Sequence, residues 1–550
     1  MAYLRGPATN GIAQPAYGMR MLPQTLDDLA EIDPERTLGC IAKSSDISMG
    51  FTEVKMRDMA RVVNHCAWWL EERIGRSRAF ETLGIMEIAD FRYTALFLAA
   101  VKLGYKLLAP SPRNTQWMNS ALLDQTDCVK ILIPEDASSV TPKLPSERDD
   151  LVLVNVPSFG ELLKQDAKHY RFDKTWNDGK WDPVLILHSS GTTGGPPKPI
   201  ILNHGSFAAL DNERNLPPIS SRRIQSTALF NFPEGGYYYS SPLPAHLSGF
   251  LSMVMIPIFS TTATVVLGPV DIPPSGKVLR EILRFYPLRG TFAAPNIIEE
   301  FALESDGLKE ASKFDFLLFM GGPLAATAGD HLSKVVTLCQ FYGSTETLEI
   351  ATLIPASEDW AYIEFHPSIE ADMQPIDDNI SELVFHQNQN PQPRFGLDWT
   401  YPNIQHWHTK DLFRRHPSKP NLWHYHGRID DLVVLATAAK FNPVPSENLI
   451  SDSPLLTGAL ISGQGRTEAA LLIEPRPGVE RATVVEKIWP LVEHMNKEVT
   501  SVARIRRDLI AVATPDKPFR RTQKGTIMRK QSLEDYSEEL NCLYAKSGVI

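Results

Sequence analysis

The sequence has few cysteines, and they are not arranged as in a disulfide framework. The five are odd in number and far apart along the chain: Cys40, Cys66, Cys128, Cys339 and Cys542. No two form a C-x-x-C pair, so a zinc site built on paired cysteines is excluded as well. We therefore expect free thiols, a reducing compartment and a cytoplasmic protein.

An excess of basic residues is also missing. The 550-residue chain has 55 Lys and Arg against 65 Asp and Glu, which gives a formal net charge of −10. Non-specific binding to nucleic acid needs a basic face, so we expect no nucleic-acid partner. An anionic small molecule can still bind in a locally basic pocket.

Targeting signals are not recognisable at either end. The segment Met1-Ala2-Tyr3-Leu4-Arg5 lacks the apolar core of a secretory signal, and position 2 is not the glycine that myristoylation requires. The final Ser-Gly-Val-Ile is neither a retrieval nor a peroxisomal tag. Both observations agree with the cytoplasmic expectation.

Long hydrophobic runs are rare, and one of them needs interpretation. No charged residue lies between His246 and Asp271, and the stretch from Leu247 to Leu267 is long enough to cross a bilayer. Pro257 interrupts it near the middle, and polar residues follow. We predict a buried helix that ends near Met255 and a buried strand at 264–267, so we expect no membrane span.

The pattern of helices and strands predicts an α/β fold. No internal repeat is present. Apolar residues recur at helical spacing from Met59 to Ile74, where Gly75 follows, and a second helix is predicted from Phe91 to Leu103. Short β-rich runs alternate with such helices, which indicates largely parallel sheets flanked by helices. The strands are predicted at 129–133, 151–156, 184–187 and 264–267, and surface loops at 141–150 and 216–223.

The composition changes at Gly427-Arg428-Ile429-Asp430-Asp431. Shorter units follow, with strands predicted at 432–435, 459–461, 469–473 and 509–512 and a helix at 481–499. This pattern indicates a smaller α+β domain of ordinary size. We place the domain boundary at Asp430, so that residues 1–429 form a large domain and residues 430–550 a small one.

One motif has the composition of a phosphate-binding loop. A hydrophobic strand leads into His188-Ser189-Ser190-Gly191-Thr192-Thr193-Gly194-Gly195-Pro196-Pro197-Lys198. Glycines allow the backbone to approach phosphate, hydroxyls and N–H groups donate hydrogen bonds, and lysine adds a positive charge. It is not a Walker A loop, because G-x-x-x-x-G-K-[ST] is absent. A plain polar turn between two strands is the alternative.

A second motif is Phe341-Tyr342-Gly343-Ser344-Thr345-Glu346-Thr347, preceded by Met320-Gly321-Gly322-Pro323. An aromatic ring can stack on a base, a threonine hydroxyl can bind phosphate and a glutamate can bind Mg²⁺. Downstream, Asp411 and Arg428 are suited to a ribose diol. Taken singly, each of these could be a turn, a helix cap or a surface charge.

The order of these motifs resembles the acyl-adenylate-forming superfamily, which includes acyl-CoA synthetases, luciferase and adenylation domains of nonribosomal peptide synthetases (NRPS). The chain is most similar to the adenylation domains of fungal NRPS-like enzymes and aryl-acid reductases. These carry stretches like His424-Tyr425-His426-Gly427-Arg428-Ile429-Asp430-Asp431 and Lys440-Phe441-Asn442-Pro443. The resemblance extends from about Leu22 to Lys530. It implies a large adenylation domain and a small, mobile C-terminal domain.

The resemblance also implies roles for individual residues. Phosphate-loop positions are Ser189, Ser190, Gly191, Thr192, Thr193, Gly194 and Lys198. The nucleotide would further contact Gly322, Tyr342, Gly343, Thr345, Asp411 and Arg428, with Tyr342 beside adenine, Thr345 at the phosphate and the last two at the ribose. Glu346 would bind Mg²⁺, Asp430 would be the hinge, and Lys524, His246 and Thr193 would be catalytic. The acid pocket would be lined by His246, Leu247, Ala294 and Gly321.

The chain departs from the superfamily pattern at a few positions. The loop reads Gly194-Gly195-Pro196-Pro197-Lys198, one residue longer than the usual Gly-x-Pro-Lys, so Lys198 is expected to be displaced. Thr437-Ala438-Ala439 replaces a glycine-containing turn, which favours a different hairpin shape. Lys524 precedes Gly525, whereas most of the superfamily has the lysine after the glycine.

The resemblance implies an enzyme of secondary metabolism that uses ATP and Mg²⁺ to convert a carboxylic acid into an acyl-AMP. A thiol then displaces AMP. Only 20 residues follow Lys530 (550 − 530), too few for a carrier domain. CoA is therefore slightly favoured as the acceptor, and a phosphopantetheine carrier on a separate protein is the alternative. A nucleotide-binding protein without catalysis is a further alternative. Amino-acid-activating relatives have an Asp where Leu247 stands, so we expect an aromatic or apolar acid without an α-amino group.

Overall fold

The computed structural model describes residues 17–549 apart from positions 113, 136–142, 146–147, 190–195, 231, 233, 261, 378, 391, 438 and 522–526.

The large N-terminal part has a mostly parallel first sheet, with Phe51–Lys55 antiparallel at one edge. Most residues of its parallel strands are buried, as is expected of parallel strands covered by helices. In spatial order they are Thr337–Phe341, Phe316–Met320, Leu288–Ala293, Gly236–Ser240, Ala263–Leu267, Thr37–Ala42 and Phe51–Lys55.

A second sheet is also mostly parallel, and only its last strand runs antiparallel to its neighbour. The predicted strands 129–133, 151–156 and 184–187 all belong to it, each within two residues of the observed bounds. In spatial order its strands are Val152–Val156, Lys130–Pro134, Thr82–Ile85, Lys106–Leu108, Pro183–Ser189 and Lys198–Asn203.

Helices cover the faces of these sheets. Met56–Ile74 buries one apolar face and ends at Gly75, whose φ of +74° is readily adopted only by glycine. It packs against Arg92–Lys102, so the two predicted helices are confirmed. The others in this part are Leu22–Ile32, Gln116–Gln125, Phe159–Leu162, Trp176–Gly179, His204–Asn212, Gly276–Ile282, Pro295–Leu303, Gly307–Ala311, Ala326–Leu332 and Gly396–Thr400.

The charge-free stretch forms a buried helix and then a strand. The helix runs as Leu247–Phe250, a π-helical segment Leu251–Met255 and Ile256–Phe259, and the strand is Ala263–Leu267. It therefore extends past the predicted end near Met255, and Pro257 lies within its last turn. Within the described residues, no helix is long and apolar enough to cross a membrane.

The third sheet is antiparallel, which corrects the expectation of largely parallel sheets. Its strands are interrupted by bulges, for example between Glu382 and Val384, so their apolar alternation is not continuous. In spatial order they are Asp372–Pro375, Ile380–His386, His406–Arg415, Trp423–Arg428, Tyr362–Phe365, Thr352–Leu353 and Ile224–Gln225.

The C-terminal part is a smaller α+β domain with its own apolar core. Leu456–Ser462, Ala469–Pro475 and Ile505–Val512 form its sheet, and Val433–Val434 pairs with Lys440–Phe441. Around the Thr437-Ala438-Ala439 departure the chain still closes a hairpin, because Leu435 N donates to Ala439 O over 2.9 Å. The helices are Val444–Ser451, Arg481–Glu498, Arg529–Asp535 and Ser537–Lys546, of which only the second was predicted.

The cysteine thiols are free, as the spacing predicts. Burial raises the pKa of the Cys40, Cys66, Cys128 and Cys339 thiols to about 12. Cys542, on helix Ser537–Lys546, is exposed.

Candidate active site

Four of the predicted site segments leave the same edge of the first sheet. The strands Gly236–Ser240, Leu288–Ala293, Phe316–Met320 and Thr337–Phe341 are parallel neighbours. The segments that follow their carboxyl ends contain His246, Ala294, Gly321 with Gly322, and Tyr342 with Gly343. Ligands bind in open α/β sheets at the carboxyl ends of the strands. The topology therefore brings predicted acid-pocket and nucleotide residues to one edge.

Tyr342 connects this edge to the antiparallel sheet. Its buried ring packs edge-on against Phe365 and Phe413, with centroids 5.6 and 5.5 Å away. Its hydroxyl donates to Asp411 Oδ2 over 2.7 Å, although 69 positions separate the two residues. Burial and the neighbouring carboxylate raise the Tyr342 pKa, so this phenol stays a hydrogen-bond donor.

Asp411 and Arg428 lie opposite each other on adjacent antiparallel strands. Arg428 Nη1 is 3.6 Å from Asp411 Oδ1. Burial raises the pKa of Asp411 to about 6, and Arg428 and the Tyr342 hydroxyl only partly counter that effect. At neutral pH the site thus presents a half-buried carboxylate beside a guanidinium, which can accept hydrogen bonds from a diol.

The residues around Asp411 distort the strand. Lys410 has a left-handed φ of +63°, which is uncommon for a residue with a Cβ. Its N–H donates to the buried Glu382 Oε1 over 3.0 Å, and the Asp411 N–H donates to Thr409 Oγ1 over 3.1 Å. The ammonium of Lys410 lies 3.2 Å from Asp430 Oδ1. The predicted hinge residue thus lies directly beside the predicted ribose pair.

A tight hairpin positions Thr345 and Glu346. Gly343–Ser344 pairs antiparallel with Leu348–Glu349, and Ser344 N donates to Thr347 Oγ1 over 2.9 Å. A Cβ on Gly343 would lie 1.9 Å from Leu348 O, so no larger residue fits there. Thr345 and Glu346 are half-buried at the tip.

The Glu346 carboxylate fits a magnesium ion of the kind that keeps its waters. Mg²⁺ binds through one or two carboxylates together with substrate phosphates. Within the described residues, no three His, Cys, Asp or Glu side chains form a metal-binding group. A cage made by the protein alone is therefore not seen in that part of the chain.

Two parts of the chain match known protein families. Residues 46–373 match the family described as AMP-binding enzyme, and residues 430–548 match its C-terminal domain. The chain belongs to the AMP-binding enzyme family.

Curated relatives of this AMP-binding enzyme are longer fungal proteins. The isocyanide synthase-NRPS hybrid crmA of Aspergillus fumigatus is 30% identical over 531 residues, which are 96% of this chain and 34% of the hybrid. A carboxylic acid reductase of Neurospora crassa is 29% identical over 550 residues, covering 97% of this chain and 52% of the reductase. The chain thus spans between a third and about half of these relatives.

Solved structures with the same fold include two CoA ligases. An anthranilate CoA ligase in complex with anthranoyl-AMP has a TM-score of 0.68 at 15% identity, over 94% of this chain and 97% of that chain. A benzoate CoA ligase from Burkholderia xenovorans has a TM-score of 0.69 at 15% identity, over 93% and 99%. At this identity the likeness shows the fold.

In this AMP-binding enzyme the base of the predicted phosphate loop is a strand pair. Ser189 is paired with Lys198 across the antiparallel strands Pro183–Ser189 and Lys198–Asn203, and Lys198 is exposed. Lys198 therefore begins a strand directly after the two prolines. Ser190, Gly191, Thr192, Thr193 and Gly194 lie outside the described residues, and so does Lys524.

The acid side is built around the start of the buried helix. His246 is half-buried, its N–H donates to Leu243 O over 3.0 Å, and its carbonyl accepts from Phe250 N over 2.8 Å. Leu247 is buried, Ala294 is half-buried, and Gly321 has a φ of +86°.

Glu382 is a supporting residue of the site that was not predicted from the sequence. Its carboxylate accepts from Lys410 N and contacts His408 Nδ1 at 3.0 Å, so it supports the strand that carries Asp411. An acidic residue directly before the apolar run 383–385 in strand Ile380–His386 was the available signal.

Proposed function

We propose that this enzyme activates a carboxylic acid with ATP and transfers the acyl group to a thiol. A carboxylate oxygen attacks the α-phosphorus, pyrophosphate leaves, and an acyl-AMP forms. A thiolate then attacks the acyl carbon and AMP leaves. One observation best supports this proposal. The segments of the proposed acid pocket leave the same sheet edge as Tyr342, which contacts Asp411 and through it Arg428.

The residue roles are part of the proposal. Asp411 and Arg428 bind the ribose, Tyr342 and the backbone of Gly322 and Gly343 contact adenine, and Thr345 contacts the phosphate. Ser189–Gly194, with Thr193 among them, and Lys198 surround the leaving phosphates. Lys524 stabilises the charge that develops at the α-phosphate. A magnesium ion on Glu346 would neutralise phosphate charge when bound.

We place the division between the domains at Asp430, with residues 1–429 in the large adenylation domain and 430–550 in the small one. The C-terminal family match supports this division because it begins at residue 430. Asp430 would be the hinge about which the small domain turns between the two steps.

For the acceptor, we propose a phosphopantetheine thiol on a carrier, and CoA is the second candidate. The sequence alone slightly favoured CoA. The names of the curated relatives, an NRPS hybrid and several reductases, favour a carrier. The CoA ligases among the solved structures keep CoA as a candidate.

For the acid, we propose an aromatic or otherwise apolar compound without an α-amino group. In the proposed pocket Leu247 follows His246 and is buried, with 8% exposure. A substrate ammonium buried there would lose its hydration without gaining a counter-charge from Leu247.

An ATP–pyrophosphate exchange screen over a panel of acids tests the first step. Benzoic, cinnamic and aryl keto acids should exchange faster than α-amino acids. A preference for a zwitterionic amino acid would contradict the proposed pocket, and ATP binding without exchange for any acid would favour a non-catalytic nucleotide-binding protein. Adding CoA or a loaded carrier domain, with detection of the thioester by mass, then separates the two acceptors.

A further inference from the structure

The loop that carries His246 is fixed by a hydrogen bond at its start and by close backbone packing at its end. It follows strand Gly236–Ser240 and ends where the buried helix starts at Leu247. Ser241 N donates to Phe292 O over 3.1 Å, so the loop is fixed to the neighbouring strand. A Cβ on Gly249 would lie 1.9 Å from Leu243 O, so the loop backbone lies directly against the first helical turn.

Three buried hydroxyl side chains, those of Tyr238, Ser240 and Ser252, join the strand before this loop to the helix after it. We call them the hydroxyl clasp. Ser240 Oγ and Ser252 Oγ are 2.7 Å apart, and the Tyr238 hydroxyl donates to Ser252 O. Ser252 Oγ is also 2.8 Å from Ser248 O, one helical turn earlier. All three residues are at most 4% exposed.

The clasp coincides with an irregular part of the helix. Ser252 lies within the π-helical segment Leu251–Met255, and such segments are frequent at functional sites. A serine hydroxyl that bonds a carbonyl four residues earlier bends a helix. The hydroxyls therefore determine how the first turn, with Leu247 and Ser248, meets the loop.

We propose that the hydroxyl clasp positions the acid-pocket loop and thereby controls binding of the carboxylic acid without contacting ATP. This inference rests on the proposed function, because it takes His246 and Leu247 to line the acid pocket. Tyr238, Ser240 and Ser252 are positioning residues. Loss of the clasp shifts the loop, and a shift of about 1 Å at a reacting centre is enough to change rates by about a hundredfold.

The test compares Ser252→Ala with Ser260→Ala. Ser260 is an equally buried serine after the same helix, and its hydroxyl donates to Phe230 O over 3.1 Å and accepts from Ala263 N. With the best acid from the exchange screen, Ser252→Ala should raise KM for the acid about tenfold and leave KM for ATP within about twofold. Ser260→Ala should lower the melting temperature similarly and leave both KM values unchanged.

Ser240→Ala and Tyr238→Phe keep the test usable if Ser252→Ala does not fold. Each removes one clasp contact, so each should raise KM for the acid less than Ser252→Ala does. The Ser240→Ala/Ser252→Ala double variant should show less than the product of the single effects, because both act through one hydrogen bond. An unchanged KM for the acid in all clasp variants of an active enzyme would overturn the proposed role of the clasp and leave the proposed function standing. Absence of exchange in the unmodified enzyme would overturn the proposed function and the clasp together.

Discussion

On the antiparallel sheet Asp411 is held by a guanidinium and a phenol, whereas the loop that carries His246 is held by uncharged hydroxyls. The proposed ribose side combines opposite charges, including a carboxylate whose pKa is raised by burial. The clasp on the acid side has no group that titrates near neutral pH. We therefore expect the nucleotide side to respond to charge substitutions and to pH, and the acid side to respond to shape and to buried polarity.

The largest effect is expected from a residue that serves both sides. Lys524→Ala should lower the rate of adenylate formation by about 10²–10³-fold, because the proposed role of Lys524 is to stabilise the charge of the transition state. Single-turnover formation of acyl-AMP is the measurement. A near-normal rate would end this assignment, and Lys530→Ala would then be the next variant to measure.

Asp411→Asn should affect only the nucleotide side. We expect kcat/KM for ATP to fall about a hundredfold, because the charged hydrogen-bond acceptor is lost. The donor groups of Arg428 and Tyr342 remain and then face an uncharged amide. KM for the acid should stay unchanged. Asp372→Asn is the matched control, since that carboxylate lies on the same sheet and is paired with His386. Equal losses toward ATP and acid would contradict separate sides.

Leu247→Asp should affect only the acid side. A carboxylate at this buried position would make the proposed pocket less apolar and would repel the carboxylate of the acid, so apolar acids should bind more weakly and their KM should rise about thirtyfold. KM for ATP should not change. Leu247→Met, which preserves volume and polarity, is the control. A rise in KM for ATP of the same size would show that Leu247 does not belong to the acid pocket.

Asp430→Pro should separate the two half-reactions. Proline fixes φ near −65° and restricts Ile429 before it, so a backbone rotation at this position is hindered. Acyl transfer to the thiol should fall about tenfold while pyrophosphate release stays within about twofold. Asp430→Ala removes the contacts to Lys410 and Arg428 but keeps the backbone free, so it should spare both steps. Equal loss of both steps in the proline variant would indicate a folding defect.

The smallest effect is a dependence on pH. Burial raises the pKa of Asp411 from its ordinary 3.8 to about 6, so the free energy of unfolding falls as the pH rises from about 4 to about 6 and changes little above that range. The proposed binding of the ribose needs the ionised form of Asp411. KM for ATP should therefore rise about fourfold as the pH falls from 7.5 to 5.5, and Asp411→Asn should remove this dependence. A similar rise of KM in the Asn variant would assign the titration to another group.

Much of the α/β body could be predicted from the sequence, because its periodicity is strong. Helix Met56–Ile74 has a regular apolar face and a glycine stop, and the strands of the second sheet are short apolar runs between turns. In these segments, local propensity and tertiary packing favour the same structure.

The antiparallel sheet was missed because its pattern is broken at functional positions. In strand His406–Arg415, every second residue from Trp407 to Phe413 is at least partly buried. One of these positions is the acidic Asp411, and a bulge follows it. The contact between Tyr342 and Asp411 depends on the register of strands far apart in sequence, which a local pattern cannot supply. The π-helical segment was also missed, because its shift in hydrogen bonding leaves the apolar run unbroken.

The distribution of thiols has a practical consequence for observing the two domains. Only the thiolate reacts with maleimides, and a pKa near 12 keeps the four buried cysteines protonated at neutral pH. All five cysteines belong to the described chain, so Cys542 offers a single attachment point for a fluorophore or spin label on the small domain. The sequence thus carries its own reporter, and the proposed rotation of the small domain can be tested in real time without first removing a cysteine.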